Sequence, residues 1–271
     1  MVPSALRLPA LAVVLLSALA LFASPALRTG VSGDRANAQP ADAPVATPTI
    51  RLRATTTLAP EPTAPAQAKP LTHGTARIRA GRSVKLRSKP GGRVVATIGA
   101  RTEFGSRRVL AVAEKRGRWL GVLATERPNG KLGWIDSRSG AIARGRTKIS
   151  LRADLSRRRI ELRVGRKVVK RLKVAVGRPG SSTPTGRFSI TDKMSGGRYG
   201  AYYGCCILAL SGHQPNLPAG WKGGNRLAIH GTDKPGTIGA AASAGCLRGG
   251  DADLRVLMRR VPVGTQIVIK R

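Results

Sequence analysis

From Ile149 to Val176, apolar residues fall on alternate positions: Ile149, Leu151, Ala153 and Leu155, then Ile160, Leu162 and Val164, then Leu172, Val174 and Val176. A period of two sends one set of side chains to a buried face and the other to water, so this stretch must fold as half-buried strands. The breaks at Ser156 to Arg159 and Gly165 to Lys167 read as hairpin turns. Further strands are predicted over 187–191, 206–211, 226–230 and 265–270. One stretch has helical spacing instead. Leu254, Leu257, Met258 and Val261 stand at i, i+3, i+4 and i+7, with Asp251 or Asp253 placed to cap the start and Pro262 to stop the helix. The C-terminal part, 146–271, is therefore mainly β with one or two short helices.

A second β pattern precedes it. Val84 and Leu86 lead into the turn Lys89-Pro90-Gly91-Gly92. Val94 to Ile98, Val109 to Val112 and Trp119 to Leu123 follow, and Gly133-Trp134-Ile135 comes after the turn Asn129-Gly130. Short strands at this spacing predict a small all-β barrel over 76–140, with Trp119 and Trp134 in its core. The Leu-Arg-Ser-x-Pro-Gly-Gly start at Leu86, the Gly-x-Trp-Leu-x-Val strand at Gly117 and the Gly-Trp-Ile at Gly133 resemble a bacterial SH3-like domain. The resemblance implies a module that binds or positions.

Before the barrel, residues 28–75 are rich in Pro, Ala and Thr and lack apolar periodicity, which makes them an extended, semi-stiff linker. Residues 1–27 carry Arg7 and then a nearly continuous apolar run from Leu8 to Ala26 with small residues at its end. This reads as a secretory signal or an uncleaved signal anchor, so the chain is expected at the cell wall or the extracytoplasmic face of the membrane. Membrane contact is then expected only through this segment. The net charge is +35, spread along the folded region. Such a field attracts nucleic acid, anionic lipid or the anionic polymers of a bacterial wall. Export removes nucleic acid and leaves anionic wall polymers, beside the plain reading of a solvated basic surface.

The chain has three cysteines, Cys205, Cys206 and Cys246. An odd count in an exported chain leaves at least one thiol free. A bridge between neighbours is strained, so Cys205 and Cys206 are expected to pack, with a vicinal or redox role as the lesser alternative. No Cys/His spacing suits zinc, and no metal or organic cofactor is called for. The chemistry concentrates in two pieces, Ile229-His230-Gly231-Thr232 at the end of a predicted strand and Ser243-Ala244-Gly245-Cys246-Leu247-Arg248 in a small-residue loop. A nucleophilic cysteine needs a base, a field that favours thiolate and donors for the oxyanion. His230 supplies the base. Nearby arginines and the helix N-terminus are expected to supply the field, and the loop's backbone N–H groups the donors.

His-Gly-Thr, a loop, Ser-x-Gly-Cys-Leu-Arg and a closing Gly264-Thr265-x-Ile267-x-Ile269 resemble the L,D-transpeptidase catalytic domain, the YkuD-like family. Upstream, Asp154-Leu155-Ser156, Val174-Ala175-Val176-Gly177 and Thr183-Pro184-Thr185-Gly186-Arg187-Phe188 agree with it. The resemblance implies a β-sandwich-like fold and an acyl transfer on peptidoglycan stem peptides. Cys246 attacks the bond between the third and fourth residues of a tetrapeptide stem, His230 carries the proton, and the Gly231 carbonyl orients the imidazole. Gly245 and Cys246 N–H groups hold the oxyanion, with Ser243 as a loop hydroxyl or direct contact and Arg248 supporting the loop or meeting a substrate carboxylate. Transfer to an amine gives a 3→3 cross-link; water as acceptor gives a carboxypeptidase; a vestigial site leaves a wall-binding protein. Carbapenem sensitivity follows from the same resemblance. Many members carry His where this chain has Ala244. His73 and His213 are expected to be ordinary linker or surface residues, and Trp221 to face substrate or pack in the core.

Overall fold

A computed structural model describes residues 72–221 and 223–271. The leader expected over 1–27 and the linker up to residue 71 lie outside the described residues. Two sheets follow one another along the chain. The first holds β1 (His73–Ile78), β2 (Ser83–Arg87), β3 (Val94–Gly99), β4 (Val109–Arg116), β5 (Trp119–Leu123), β6 (Gly133–Asp136) and β7 (Ile142–Thr147), in the order β3-β2-β6-β5-β4-β1-β7. Its inner face is the one the alternation marks: Val84 and Leu86 on β2 are buried while Ser83 and Lys85 face water. Ile78, Ile98, Leu110, Leu120, Val122 and Ile135 complete this core. Trp134 is buried, whereas Trp119 sits half-buried under the guanidiniums of Arg87 and Arg118. β1 and β7 have no apolar run to announce them, yet they pair over six residues, from His73↔Thr147 to Ile78↔Ile142. His73 thus opens a strand instead of ending the linker.

The second sheet holds β8 (Ile149–Asp154), β9 (Arg159–Val164), β10 (Lys167–Gly177), β11 (Gly186–Ser195), β12 (Cys206–His213), β13 (Arg226–His230), β14 (Ala241–Ser243), β15 (Leu247–Gly249) and β16 (Gln266–Lys270). Its order is β14-β10-β15-β13-β12-β11-β16-β8-β9, and a further β9–β10 pairing closes the ladder on itself. The fold is mainly β, as the alternation predicts. Inside lie Leu151, Ile160, Leu162, Leu172, Val174, Phe188, Leu208, Leu210, Leu227, Ile229 and Ile267.

One helix, α1 (Asp251–Arg260), covers the core with Leu254 and Leu257. Its start differs from expectation. Gly250 is the N-cap and no side chain caps the turn. The Asp251 carboxylate instead accepts the Cys205 N–H at 3.1 Å, and Asp253 pairs with Lys170 at 2.8 Å. At the other end Lys193 Nζ donates to Met258 O (2.7 Å) and Val261 O (3.1 Å), which satisfies carbonyls the helix leaves open before Pro262.

The two sheets are clasped by polar contacts, most of them between buried or half-buried groups. Asn129 exchanges two hydrogen bonds with the His213 backbone, Nδ2–H to O at 2.6 Å and N–H to Oδ1 at 2.9 Å. The His213 Nε2–H donates to Thr125 O at 2.8 Å, so this histidine is a clasp and not a free surface residue. Gln266 Nε2 donates to Val112 O at 2.7 Å, and Arg226 pairs with Glu103. Replacing Phe188, 2% exposed in the middle of the second core, with Ala is expected to cost about 3–5 kcal/mol. Urea unfolding of the two forms measures this, and a loss below about 1 kcal/mol would show that the side chain does not fill a close-packed core.

Candidate active site

β13 and β15 lie side by side in parallel, with Ile229 opposite Leu247 and His230 opposite Arg248. Ile229 and Leu247 point into the core and are at most 1% exposed. The period of two then sends His230, Arg248 and Cys246, the residue just ahead of β15, to the other face together. Two segments distant in sequence are thereby brought to one spot. Cys246 is partly exposed and is the one free cysteine among the described residues, while His230 is fully buried.

The imidazole is held from one side. His230 Nδ1–H donates to its neighbour's carbonyl, Gly231 O, at 2.6 Å. A carbonyl only accepts, so Nδ1 carries the hydrogen and Nε2 is left as the basic nitrogen. Nε2 is buried with no hydrogen-bond partner. Gly231 must be glycine at this place: a Cβ would run into the Asp251 carboxylate and the Cys205 N–H. The thiol does not bond to the imidazole. Its contact is Arg226 O, at 3.9 Å.

The Cys246 loop is fixed by Ser243 and Gln214. Ser243 Oγ donates to Cys246 O at 2.6 Å and accepts the Gly245 N–H at 3.0 Å. Ser243 thus closes its own loop, and the Gly245 N–H, expected as an oxyanion donor, is already engaged. Gln214, 3% exposed, directs Nε2 to Ser181 O, Ser182 O and Ala244 O at 3.1–3.2 Å, and its Oε1 accepts the Asn216 N–H. Gly245 has φ +118°, and a Cβ there would fall on that amide, so both backbone and space require glycine. Arg248 is buried. It donates to Ala242 O at 2.9 Å and Thr237 Oγ1 at 3.3 Å, and it lies 5.9 Å from the Tyr202 ring centroid.

What hides His230 is an aromatic cover. The rings of Tyr202 and Tyr203 lie 5.4 and 5.0 Å from the imidazole, and Trp221 leans on Tyr202 at 5.9 Å. Trp221 therefore belongs to the rim of the site and not to the core. All three tyrosines of this aromatic-poor chain stand between Tyr199 and Tyr203, a clustering visible in the sequence that would have located the cover. Gln214 and Arg226 had no such signal. Directly after the tyrosines, Cys205 and Cys206 are joined in a vicinal disulfide, the lesser of the two expectations, and Cys206 is also buried in the core. The disulfide anchors the end of the covering segment, because Cys205 N–H meets Asp251 and Gly231 N–H donates to Cys206 O at 3.0 Å.

Burial decides the protonation state. Desolvation lowers His230 to about 4, against the opposing effect of the Gly231 hydrogen bond. It raises Cys246 to about 11, and the hydrogen bond to the backbone and the Arg248 charge only offset it in part. The thiolate-favouring field expected from the arginines and the helix therefore loses to desolvation. Both groups are neutral near pH 7. Among the described residues, no group of three or more His, Cys, Asp or Glu side chains gathers to hold a metal ion.

Residues 149–269 match the YkuD family model, the L,D-transpeptidase catalytic domain. The match begins with β8 and ends inside β16, so it covers the second sheet and none of the first. The putative L,D-transpeptidase YkuD of Bacillus subtilis (strain 168) is 35% identical over 114 residues, 41% of this chain and 60% of that protein. The putative L,D-transpeptidase YqjB of the same strain is 31% identical over 105 residues, 35% of this chain and 56% of that protein. The chain thus spans less than two thirds of the length of these relatives. Among solved structures, an L,D-transpeptidase from Mycobacterium smegmatis aligns with a TM-score of 0.39 and 15% identity, covering 60% of this chain and 82% of that one.

His230 takes up protons in the unfolded chain near 6.5 but in the folded state only near 4. The unfolded state binds more protons between these values, so stability is full above pH 6.5 and falls as pH drops to about 4, by about 3 kcal/mol. Urea midpoints of the parent and His230→Gln across this window measure the difference. A parent curve parallel to the variant's would show that the imidazole is not held neutral.

Proposed function

We propose that the second sheet carries a cysteine acyltransferase, an L,D-transpeptidase of peptidoglycan, in an exported protein. The observation that carries the reading is the imidazole with its Nδ1–H fixed on Gly231 O and its Nε2 bare, on the face that also presents the free thiol of Cys246. The family match over 149–269 supports it.

In this reading Cys246 Sγ attacks the carbonyl between the third and fourth residues of a tetrapeptide stem. Its proton passes to His230 Nε2. The tetrahedral oxyanion is met by the Cys246 N–H, because the Gly245 N–H is held by Ser243. Collapse expels D-Ala as the amine, which takes the proton back from the imidazolium and leaves a thioester. The side-chain amine of a second stem then attacks, His230 removes its proton, and the amide forms as the thiol is released, a 3→3 cross-link. Gly231 holds the imidazole in the right tautomer throughout, and Arg248 steadies the Ala242 end of the loop.

Desolvation pushes the thiol up to about 11 and the imidazole down to about 4, so both rest neutral. In this reading proton transfer accompanies attack and does not precede it as a standing thiolate–imidazolium pair. The neutral resting thiol resists unwanted alkylation. Iodoacetamide is expected to label Cys246 slowly at pH 7, with a rate that climbs towards pH 11.

Intact-mass spectrometry of the full chain mixed with a tetrapeptide stem, beside Cys246→Ala, tests the proposal. An acyl adduct on the parent alone, with D-Ala released and cross-linked dimer formed, is the expected result. Adduct and D-Ala without dimer would make the protein a carboxypeptidase. A folded, reduced protein giving neither adduct nor D-Ala would sink the enzymatic reading in favour of wall binding.

A further inference from the structure

The first sheet, 72–147, contains four acidic residues, Glu103, Glu114, Glu126 and Asp136. Each is paired with an arginine: Glu103 with Arg226, Glu114 with Arg116, Glu126 with Arg108, and Asp136 with Arg118 and Arg138. None faces Arg77, Arg82, Arg101 or Arg107. These four line one cleft of about 530 Å³, with Ile78, Ala80 and Ala100 between them. All four are exposed, and no acidic side chain lines the cleft. Among the described residues, Arg77, Arg82 and Arg107 make no side-chain hydrogen bond or ion pair, and Arg101 donates only to Gly105 O at 2.7 Å.

The backbone forces these charges together. Arg101 and Arg107 are partners in an antiparallel bridge, directly opposite each other. Like charges in that relation repel and destabilise a pair of strands. Arg77 is brought to the same mouth by β1, and Arg82 by the turn that follows it. The four acids of the first sheet are spent on other arginines, so among the described residues no carboxylate of that sheet offsets the repulsion.

We propose that this cleft binds a polyanion of chain-linked phosphates. Four guanidiniums around one opening call for several negative charges; a single carboxylate would neutralise one and leave three. A guanidinium fork can take two oxygens of a phosphate at once, and successive phosphates along a chain present such oxygen pairs to forks arriving from different strands. The apolar floor suits the carbon segments between phosphates. The site lies on the first sheet and does not depend on the chemistry of Cys246. Anchoring there would hold the second sheet beside a phosphate-bearing matrix.

The full chain, titrated with short linear polyphosphate by isothermal calorimetry at several salt concentrations, is compared with two variants of equal charge loss. One carries Arg77→Gln, Arg82→Gln, Arg101→Gln and Arg107→Gln. The other carries Arg152→Gln, Arg166→Gln, Arg259→Gln and Arg260→Gln, exposed residues away from the cleft. The cleft variant is expected to weaken binding by about tenfold or more at ~0.1 M salt, and to flatten the slope of log K against log salt by about 3. The control should change by about twofold or less, as diffuse screened charge allows. The cleft variant should melt no lower than the parent, since only repulsion is removed, and Arg101→Gln with Arg107→Gln alone should show the same direction of effect. Equal weakening in both quadruple variants would reduce the affinity to net charge and overturn the site. Poly-L-glutamate of matched charge binding as tightly as polyphosphate would overturn the phosphate assignment.

Discussion

The short parallel ladder between β13 and β15 is the contact on which the site depends. It is only two residue pairs long, Ile229↔Leu247 and His230↔Arg248. Parallel strands cannot be joined by a tight turn, so the chain must leave β13, cross over and return. That crossover, 231–246, holds groups of the proposed site. Its first residue gives the carbonyl that fixes the imidazole, and its last is the thiol. Slipping the ladder by one residue would turn Cys246 and Arg248 into the core and Leu247 out of it. The burial of Ile229 and Leu247 therefore also holds the reactive groups in register.

The same burial works against reactivity. Desolvation under the tyrosine cover and above the core pushes the thiol up and the imidazole down, so both rest neutral. The fold meanwhile fixes the imidazole tautomer, closes the loop through Ser243, and leaves room for the Gln214 amide beside a glycine that has no Cβ. In the proposed acyl transfer, preorganisation of this kind supplies transition-state stabilisation without requiring an ionised resting state.

Much of this was legible in the sequence because it rests on local rules. Alternation locates β8 to β10, the segments 187–191, 206–211, 226–230 and 265–270 fall on β11, β12, β13 and β16, and helical spacing locates α1. The two motifs marked His230, Gly231, Ser243, Gly245, Cys246 and Arg248, and the ladder brings all of them to one place. What could not be read depends on partners distant in the chain. β1 and β7 are strands because they pair with each other, and neither carries an apolar stripe of its own. Asp251 looks like a helix cap, but the Cys205 N–H is a better-placed donor for it. Gln214 is a lone amide after a strand, and only the fold shows that three loops converge on it. The protonation states were misjudged for a related reason. The arginines are countable in the sequence, whereas the desolvation that outweighs them exists only after folding.

The charge of the chain becomes more informative once its acids are placed. A net charge of +35 by itself says only that anions are attracted. The few carboxylates divide the arginines into two classes. Arg226, held by Glu103 of the first sheet, also donates to Thr191 Oγ1 and Leu210 O, and its own carbonyl receives the Cys246 thiol. One ion pair thus links the first sheet to the surroundings of Cys246. Arg101 and Arg107, which face each other, are among the arginines without a carboxylate. Glu103 stands between them in the sequence but is given to Arg226, so the cleft and the link to the second sheet draw on the same small supply of negative charge.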